Sequence, residues 1–264
     1  TRGTPLGADP VNTSLILGAD VTEVRIGTSG WTYRDWVGVL YEPGLAQRRW
    51  LERYSAEFST VEINGSFYRW PTESSFTNWR DRLPEGFEMA VKAPRGLTHA
   101  RRLASAQPWI DRITAGLAAL GERAGPLLVQ LHPAHQRDDA RLDGFLSAVP
   151  DRVTVAVELR HPSWDAAEVY SILERHGASY VVMSGAGLPC ILRATAQLVY
   201  VRLHGPDPDA LYRGSYNSAA LGWWADRIRE WSAAGHDVLA YFNNDGQGNA
   251  VRDAQGLRTR LNSD

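Results

Sequence analysis

The sequence predicts an α/β fold, a TIM-like (β/α)8 barrel in a single domain. Three observations carry that expectation. The chain has 264 residues, a length that α/β barrels commonly reach without splitting. From Val24 onward, short apolar runs alternate with longer stretches at helical spacing, which implies a parallel sheet. There are eight such runs, and eight units favour closure over an open doubly wound sheet.

The runs follow in order. Val24–Gly30 comes first, and the stretch Gly44–Phe58 behind it sets Leu45, Trp50, Leu51, Tyr54 and Phe58 at helical spacing. Thr60–Tyr68 alternates with period two, and Pro71, Thr72 and Glu73 then open a helix. Phe87–Pro94 is the third run, followed by a basic loop and an amphipathic helix from Pro108. Pro126–Pro133 and Val153–Pro162 each precede a helical stretch, the second of which stops at Gly177. Ser179–Gly185 has only a short turn-rich follower. Leu198–Gly205 precedes a helix whose Trp223, Trp224 and Trp231 read as its buried face, and Asp237–Asp245 precedes the last helix. Residues 1–22, rich in Gly, Pro, Thr and Asp without a helical stripe, read as a disordered or loosely packed tail, which leaves 23–264 for the barrel.

Composition narrows the function. A hydrophobic fraction of 44% and a charged fraction of 22% exclude a disordered or collagen-like chain. The net charge of -2 provides no global field for a polyanion, so nucleic acid is possible only through a local basic patch and is not the favoured partner. A single cysteine, Cys190, excludes a disulfide framework and a cysteine-based zinc site, and suits a reducing, cytoplasmic setting. The apolar run Leu15–Leu17 is too short for a membrane span, so no membrane association is expected. The dinucleotide and P-loop signatures are missing, and so is the G-x-S-x-G elbow. No cofactor is therefore expected, with a divalent metal left open.

Side-chain parity locates a candidate site. Residues alternate faces along a strand, so Glu62 and Asn64 share one face and Val61 and Ile63 the other. By the same rule Lys92, Gln130 with His132, Glu158 with Arg160, and Arg202 with His204 point into the barrel, and the last run ends in Asn243, Asn244 and Asp245. These polar residues gather toward the C-terminal strand ends, where TIM barrels carry their active sites. Buried unpaired charges cost several kcal/mol each, so the set must pair, be solvated or meet a ligand. The competing reading is a network of ion pairs that holds the barrel closed.

The mixture of acids and cations suits an anionic, phosphorylated substrate together with acid–base chemistry. Glu62 and Glu158 are the candidate acid–base pair, with His132 and His204 orienting or sharing protons. Lys92, Arg160 and Arg202 would hold the anion, helped by Arg95 in the loop Ala93–Arg102, which reads nearly as well as a solvated basic loop. Asn64 and Asn243 would bond hydroxyls, with Asp245 beside them. Trp31, Tyr68 and Trp164 fall in strand-to-helix loops, where aromatics stack on sugars or bases. The functional expectation is an enzyme of hydrolase, lyase or isomerase type, or a ligand-binding barrel, for a small anionic sugar-like or nucleotide-like compound. The alternatives are a metal-dependent phosphodiesterase or isomerase with Glu62, His132, Glu158, His204 and Asp245 as ligands, a non-enzymatic nucleic-acid or metabolite module, and a two-carboxylate glycoside hydrolase.

The motifs IGTSGW, TVEINGSFYR, VKAPRGLTHARRL, ELRHPSW, YVRLHGP and YFNNDGQG resemble those of the YecE-like family, known as domain of unknown function seventy-two. The resemblance runs from about Val24 to the C-terminus. It implies a TIM-like barrel and supplies no reaction; likenesses of that family to sugar isomerases and to endonuclease-IV-like barrels are analogies of fold. In the family the last motif commonly continues to glycine-histidine-alanine, whereas here Asn249 stands between Gly248 and Ala250. An amide can replace a histidine that donates a hydrogen bond but not one that transfers a proton.

Overall fold

The computed structural model describes residues 15–17 and 22–263. Its strands are β1 (Leu15–Leu17), β2 (Thr22–Ser29), β3 (Thr60–Ile63), β4 (Glu88–Lys92), β5 (Ala124–Gln130), β6 (Val155–Glu158), β7 (Ser179–Ser184), β8 (Leu198–Leu203) and β9 (Asp237–Phe242). Strands β2 to β9 pair in sequence order, all parallel, and β9 pairs back onto β2 through Val24↔Val238 to Thr28↔Phe242. The sheet is thus a closed eight-stranded barrel, as the alternating pattern predicts. β1 adds antiparallel to β2, with Leu15 opposite Val24. The rest of the expected N-terminal tail, residues 1–14 and 18–21, lies outside the described residues.

The helices are α1 (Trp50–Ser55), α2 (Gly65–Tyr68), α3 (Glu73–Arg82), α4 (Gln107–Leu120), α5 (Asp139–Ala148), α6 (Ala167–Arg175), α7 (Ser218–Ala233) and α8 (Asn249–Leu261). Several start where the sequence signals place them. Thr72, Asp138 and Asn217 each accept a backbone N–H of the first turn, capping α3, α5 and α7. Pro108 sits in the first turn of α4, where a missing N–H costs nothing. α6 is followed by Gly177 at φ 58°, a left-handed stop. No helix forms between β7 and β8, in line with the turn-rich sequence there. No helix of the described residues is long and apolar enough to cross a membrane.

Two expectations change. The alternating run Thr60–Tyr68 is extended only to Ile63 and then turns into α2. The Ser66 hydroxyl lies against the carbonyls of Ile63 and Lys92, 2.9 and 2.6 Å away, tying the turn to two adjacent strands. On α7, Trp224 is buried as expected, but Trp223 is 43% exposed and lies under the Arg227 guanidinium. The stripe that faces the sheet runs through Leu221, Trp224, Ala225 and Ile228, and Trp223 falls one position outside it.

The core has two layers. A large cluster fills the space between the strands and the helices, with Phe58, Phe76, Phe145, Trp224 and Leu257 among its members. A second cluster lies inside the barrel: Ala90, Leu128, Ala156, Val181, Tyr200, Leu239 and Tyr241. These inward residues share the parity of Lys92, Gln130, Glu158 and Arg202. Each stands two positions before a polar one on β4, β5, β6 and β8, so an apolar plug supports a polar layer nearer the mouth.

The loop after β8 folds back over that mouth. Gly205 has φ 94°, and a Cβ there would lie 2.2 Å from the carbonyl oxygen of Arg213. Strain and clash coincide, so Gly205→Ala is expected to lower stability by about 2–3 kcal/mol. A urea titration with an unchanged transition slope checks this.

Candidate functional site

The polar layer is built around Arg202. Its Nε and Nη2 donate to the two oxygens of Glu62 at 2.9 and 2.7 Å, and its Nη1 donates to Glu158. Glu62 also accepts the hydroxyls of Ser29 and Tyr200, both at 2.7 Å. The other oxygen of Glu158 accepts Nε of Arg160. Arg202, Glu62 and Glu158 are fully buried, at 0% exposure. Two carboxylates thus face two guanidiniums, and charge-assisted, partly bidentate bonds offset the cost of desolvating them. Burial alone would raise the Glu158 pKa, yet Arg202 and Arg160 hold it well below the usual carboxylate range. Burial opposes the charge of Arg202 too, and Glu158 and Glu62 keep it fully cationic.

Above this floor lie groups whose bonding is incomplete. Lys92 ends β4 with its Nζ 4.5 Å from the centre of the Phe67 ring, and among the described residues that ammonium has no ion pair. Burial, followed by the charge of Arg202, pulls its pKa down to about 7 against the opposing pull of Glu158 and Glu62. His204 is buried; its Nδ1 accepts Nδ2 of Asn243 at 3.2 Å, and its Nε2 stands 3.9 Å from Glu158. Burial and then Arg202 keep this imidazole neutral. Asn243 in turn lies 3.5 Å from Nδ2 of Asn64. Burial pushes Asp245 up to about 7 against the pull of the nearby Tyr33 hydroxyl, which donates to the Ser29 carbonyl at 2.7 Å.

Five buried polar atoms at this mouth have no hydrogen-bond partner among the described residues: Asn64 Oδ1, Gln130 Oε1, Arg160 Nη2, His204 Nε2 and Asp245 Oδ1. They come from the C-terminal ends of β3, β5, β6, β8 and β9. An unsatisfied buried polar group costs about 1–3 kcal/mol, so a ring of them marks a place that a polar ligand or ordered water completes. Both donors and acceptors are present.

The rim adds two features. The first is a basic shoulder, with His99 and His132 in edge contact at 5.1 Å and Arg95 and His132 exposed. Burial and the neighbouring His132 push His99 down to about 4. The second is a cleft of about 600 Å³ lined by Trp31, Tyr33, Asn64, Tyr68, Trp70 and Trp79 among others. Tyr68 is 75% exposed there. Asn64 belongs to both, so the cleft borders the polar ring. Tyr212, at φ 68°, packs edge-on against the His204 ring at 5.4 Å.

The structure brings Glu62, Asn64, Lys92, Glu158, Arg160, Arg202, His204, Asn243 and Asp245 together at one mouth, with Trp31 and Tyr68 in the adjoining cleft and His132 and Arg95 on the rim. Trp164 is not part of it: it is 1% exposed, and its indole N–H donates to the His135 carbonyl at 2.6 Å. Asn249 opens α8, and its side chain makes no hydrogen bond among the described residues. The sequence reading misses Tyr33, Phe67, Tyr200 and Tyr212; it holds His99 only as part of the basic loop Ala93–Arg102 and Ser29 only as a hydrogen-bonding or turn residue. Ser29 and Tyr200 were within reach, since both hold inward parity on their strands. Tyr33, Phe67, His99 and Tyr212 lie on loops and short turns, where no period reports direction. A second cavity of about 600 Å³ lies at the opposite, N-terminal end of the barrel, beside Arg25, Glu88 and Asp237; that face of the fold ordinarily serves stability. Among the described residues no group of three or more His, Cys, Asp or Glu is placed to hold a metal ion.

Similarity to known proteins agrees with this fold. UPF0759 protein YunF of Bacillus subtilis (strain 168) is 28% identical over 262 residues, spanning 86% of this chain and 91% of that protein. UPF0759 protein YecE of Escherichia coli (strain K12) is 26% identical over 144 residues, about half of each chain. The crystal structure of a DUF72 family protein from Thermotoga maritima MSB8 superposes with a TM-score of 0.82 at 28% identity, over 90% of this chain and 98% of that one. One from Enterococcus faecalis V583 superposes at 0.80 with 21% identity, over 91% and 96%, a likeness of fold alone. The model of the family described as "Protein of unknown function DUF72" matches residues 25–264. A match over nearly the whole length, together with the barrel it accompanies, means that this chain belongs to the DUF72 family.

Proposed function

We propose that the barrel mouth binds a small anionic, hydroxyl-rich compound of the phosphorylated-sugar type, and that the protein is an enzyme acting on it. The observation that carries this reading is the ring of unpartnered buried polar atoms contributed by five strand ends. Arg160 Nη2 takes the anionic group, while the Nε of the same guanidinium stays on Glu158. Asn64, Gln130 and Asp245 meet hydroxyls. The ring of the ligand, or a base attached to it, lies against Trp31 and Tyr68 in the cleft.

This reading moves the acid–base work away from Glu62 and Glu158. Their oxygens are engaged by guanidiniums and hydroxyls, and neither reaches solvent. They position Arg202 and, through it, the floor of the pocket. Groups titrating near neutrality, Lys92 and Asp245 at about 7, are better matched to proton transfer. The same saturation argues against a metal site there, because a metal would have to displace charge-assisted bonds to reach those oxygens.

Isothermal titration of the protein with sugar phosphates, nucleoside phosphates and the matching neutral sugars tests the proposal. A phosphorylated member is expected to bind at least ten-fold tighter than its neutral counterpart. Arg160→Met is expected to weaken that binding by roughly 10- to 100-fold, the size of one lost charge-assisted bond. Equal binding of charged and neutral members, or none by any, sinks the proposal.

A further inference from the structure

Lys92 is the single lysine of the sequence; all the other residues in the Lys+Arg total of 28 are arginine. The buried ion pairs around it, those of Arg202 and Arg160, are made by guanidiniums. Where only charge is required, arginine serves, so a lone primary amine at the barrel mouth points to chemistry that a guanidinium cannot perform. The carboxylates beside it do not need its charge, since Glu62 and Glu158 already face Arg202 and Arg160. Its ammonium stands over the Phe67 ring and, among the described residues, makes no ion pair. The apolar plug and the backbone anchor through Ser66 hold its strand end in place.

We propose that Lys92 is a Schiff-base lysine, whose Nζ condenses with the carbonyl carbon of an aldehyde or ketone substrate bound at this mouth. The inference rests on the reading of the mouth as an anion-binding pocket, and names the reactive group and the substrate class: an open-chain carbonyl compound carrying an anionic group. The amine lone pair forms a C–N bond to the carbonyl carbon, and the C=O pair moves onto oxygen. The two amine protons leave with that oxygen as water, and the imine remains. Addition of water reverses the step, and no oxidant or further reactant is required. An amine is activated for this by desolvation or by a neighbouring cation, and Lys92 is half-buried, beside the Phe67 ring, with Arg202 as a nearby charge. The charged and titratable groups around it are Arg202, Glu158, Glu62, Arg160, His99 and His204. With a pKa of about 7, about half of the amine is free at neutral pH, against roughly one part in 2,500 for an ordinary lysine near 10.4.

The single lysine makes the test clean. The protein is incubated at pH 7 with pyridoxal phosphate, and separately with glyceraldehyde 3-phosphate, then reduced with cyanoborohydride and mapped by peptide mass. The expected result is a reduced adduct on the peptide containing Lys92. Its rate should rise with pH to a plateau with a midpoint near 7, and inorganic phosphate should slow it. The α-amino group labels under the same conditions and serves as internal control. Labelled N-terminus with untouched Lys92 overturns the inference, as does a Lys92 midpoint near that of free lysine. Calorimetry with the same carbonyl phosphates and with polyol phosphates separates the two proposals. Binding without trapping ends the imine and leaves the anion pocket; trapping of small neutral aldehydes without phosphate selectivity ends the pocket and keeps the reactive amine; neither ends both.

Discussion

Replacing Arg202 with methionine is expected to cost about 3–5 kcal/mol, enough to unfold many single domains at 37 °C. The loss is larger than the value of any one bond, because the substitution strands two carboxylates inside the barrel. Glu62 would keep only Ser29 and Tyr200, and Glu158 only Arg160. A triple variant, Glu62→Gln with Glu158→Gln and Arg202→Met, is expected to recover most of the loss, since it removes the charges together. The pH profile gives a second signature. In the native protein Glu158 is depressed, so its contribution is present above the ordinary carboxylate pKa and is lost as pH falls through its folded value. In Arg202→Met, Glu158 loses the larger of the two guanidinium charges that oppose its burial, so acidification should cost the variant less stability than it costs the native protein. Urea midpoints measured across the acid range decide it: parallel profiles for the two proteins would mean that the ion-pair floor contributes little.

The expected behaviour of Arg202 shows which parts of the site are legible in sequence. Period two along a strand is a steric fact of the backbone, so parity placed Glu62, Lys92, Glu158 and Arg202 on one inner surface although they are far apart in the chain. Parity says nothing about depth. Tyr200 and Arg202 share a face, yet one belongs to the apolar plug and the other to the charged floor, and only the closed barrel with its stagger separates them. Parity is equally silent on saturation. Two glutamates facing a pocket suggest acid–base chemistry until the donors around them are counted, and Ser29 and Tyr200 complete that count. Loops carry no such period. Trp164 lies in a strand-to-helix loop exactly as Trp31 does, but a hydrogen bond to the His135 carbonyl draws its indole into the core. One clue was in plain view and is compositional: a single lysine in a chain otherwise served by arginine, at the strand end where the pocket opens.

Lys92→Met is expected to make the protein more stable, by about 2–4 kcal/mol at neutral pH. The wild-type amine is protonated in the unfolded chain, with a pKa near 10.5, and has to give up its proton or its hydration on folding, since its folded pKa is about 7. The folded state therefore binds fewer protons than the unfolded state between those values. The penalty is full below pH 7 and vanishes as pH rises through 10.5. Methionine keeps the length of the chain over Phe67 without the charge, so the gain over wild type should be largest at and below pH 7 and close to zero near pH 11. Thermal midpoints of the two proteins across that range measure it. A stabilising loss is the mark of a group held against its preference, as active-site residues are. If Lys92 were a structural counter-ion for Glu158 or Glu62, the same substitution would destabilise at every pH below 10, and the sign alone separates the two accounts.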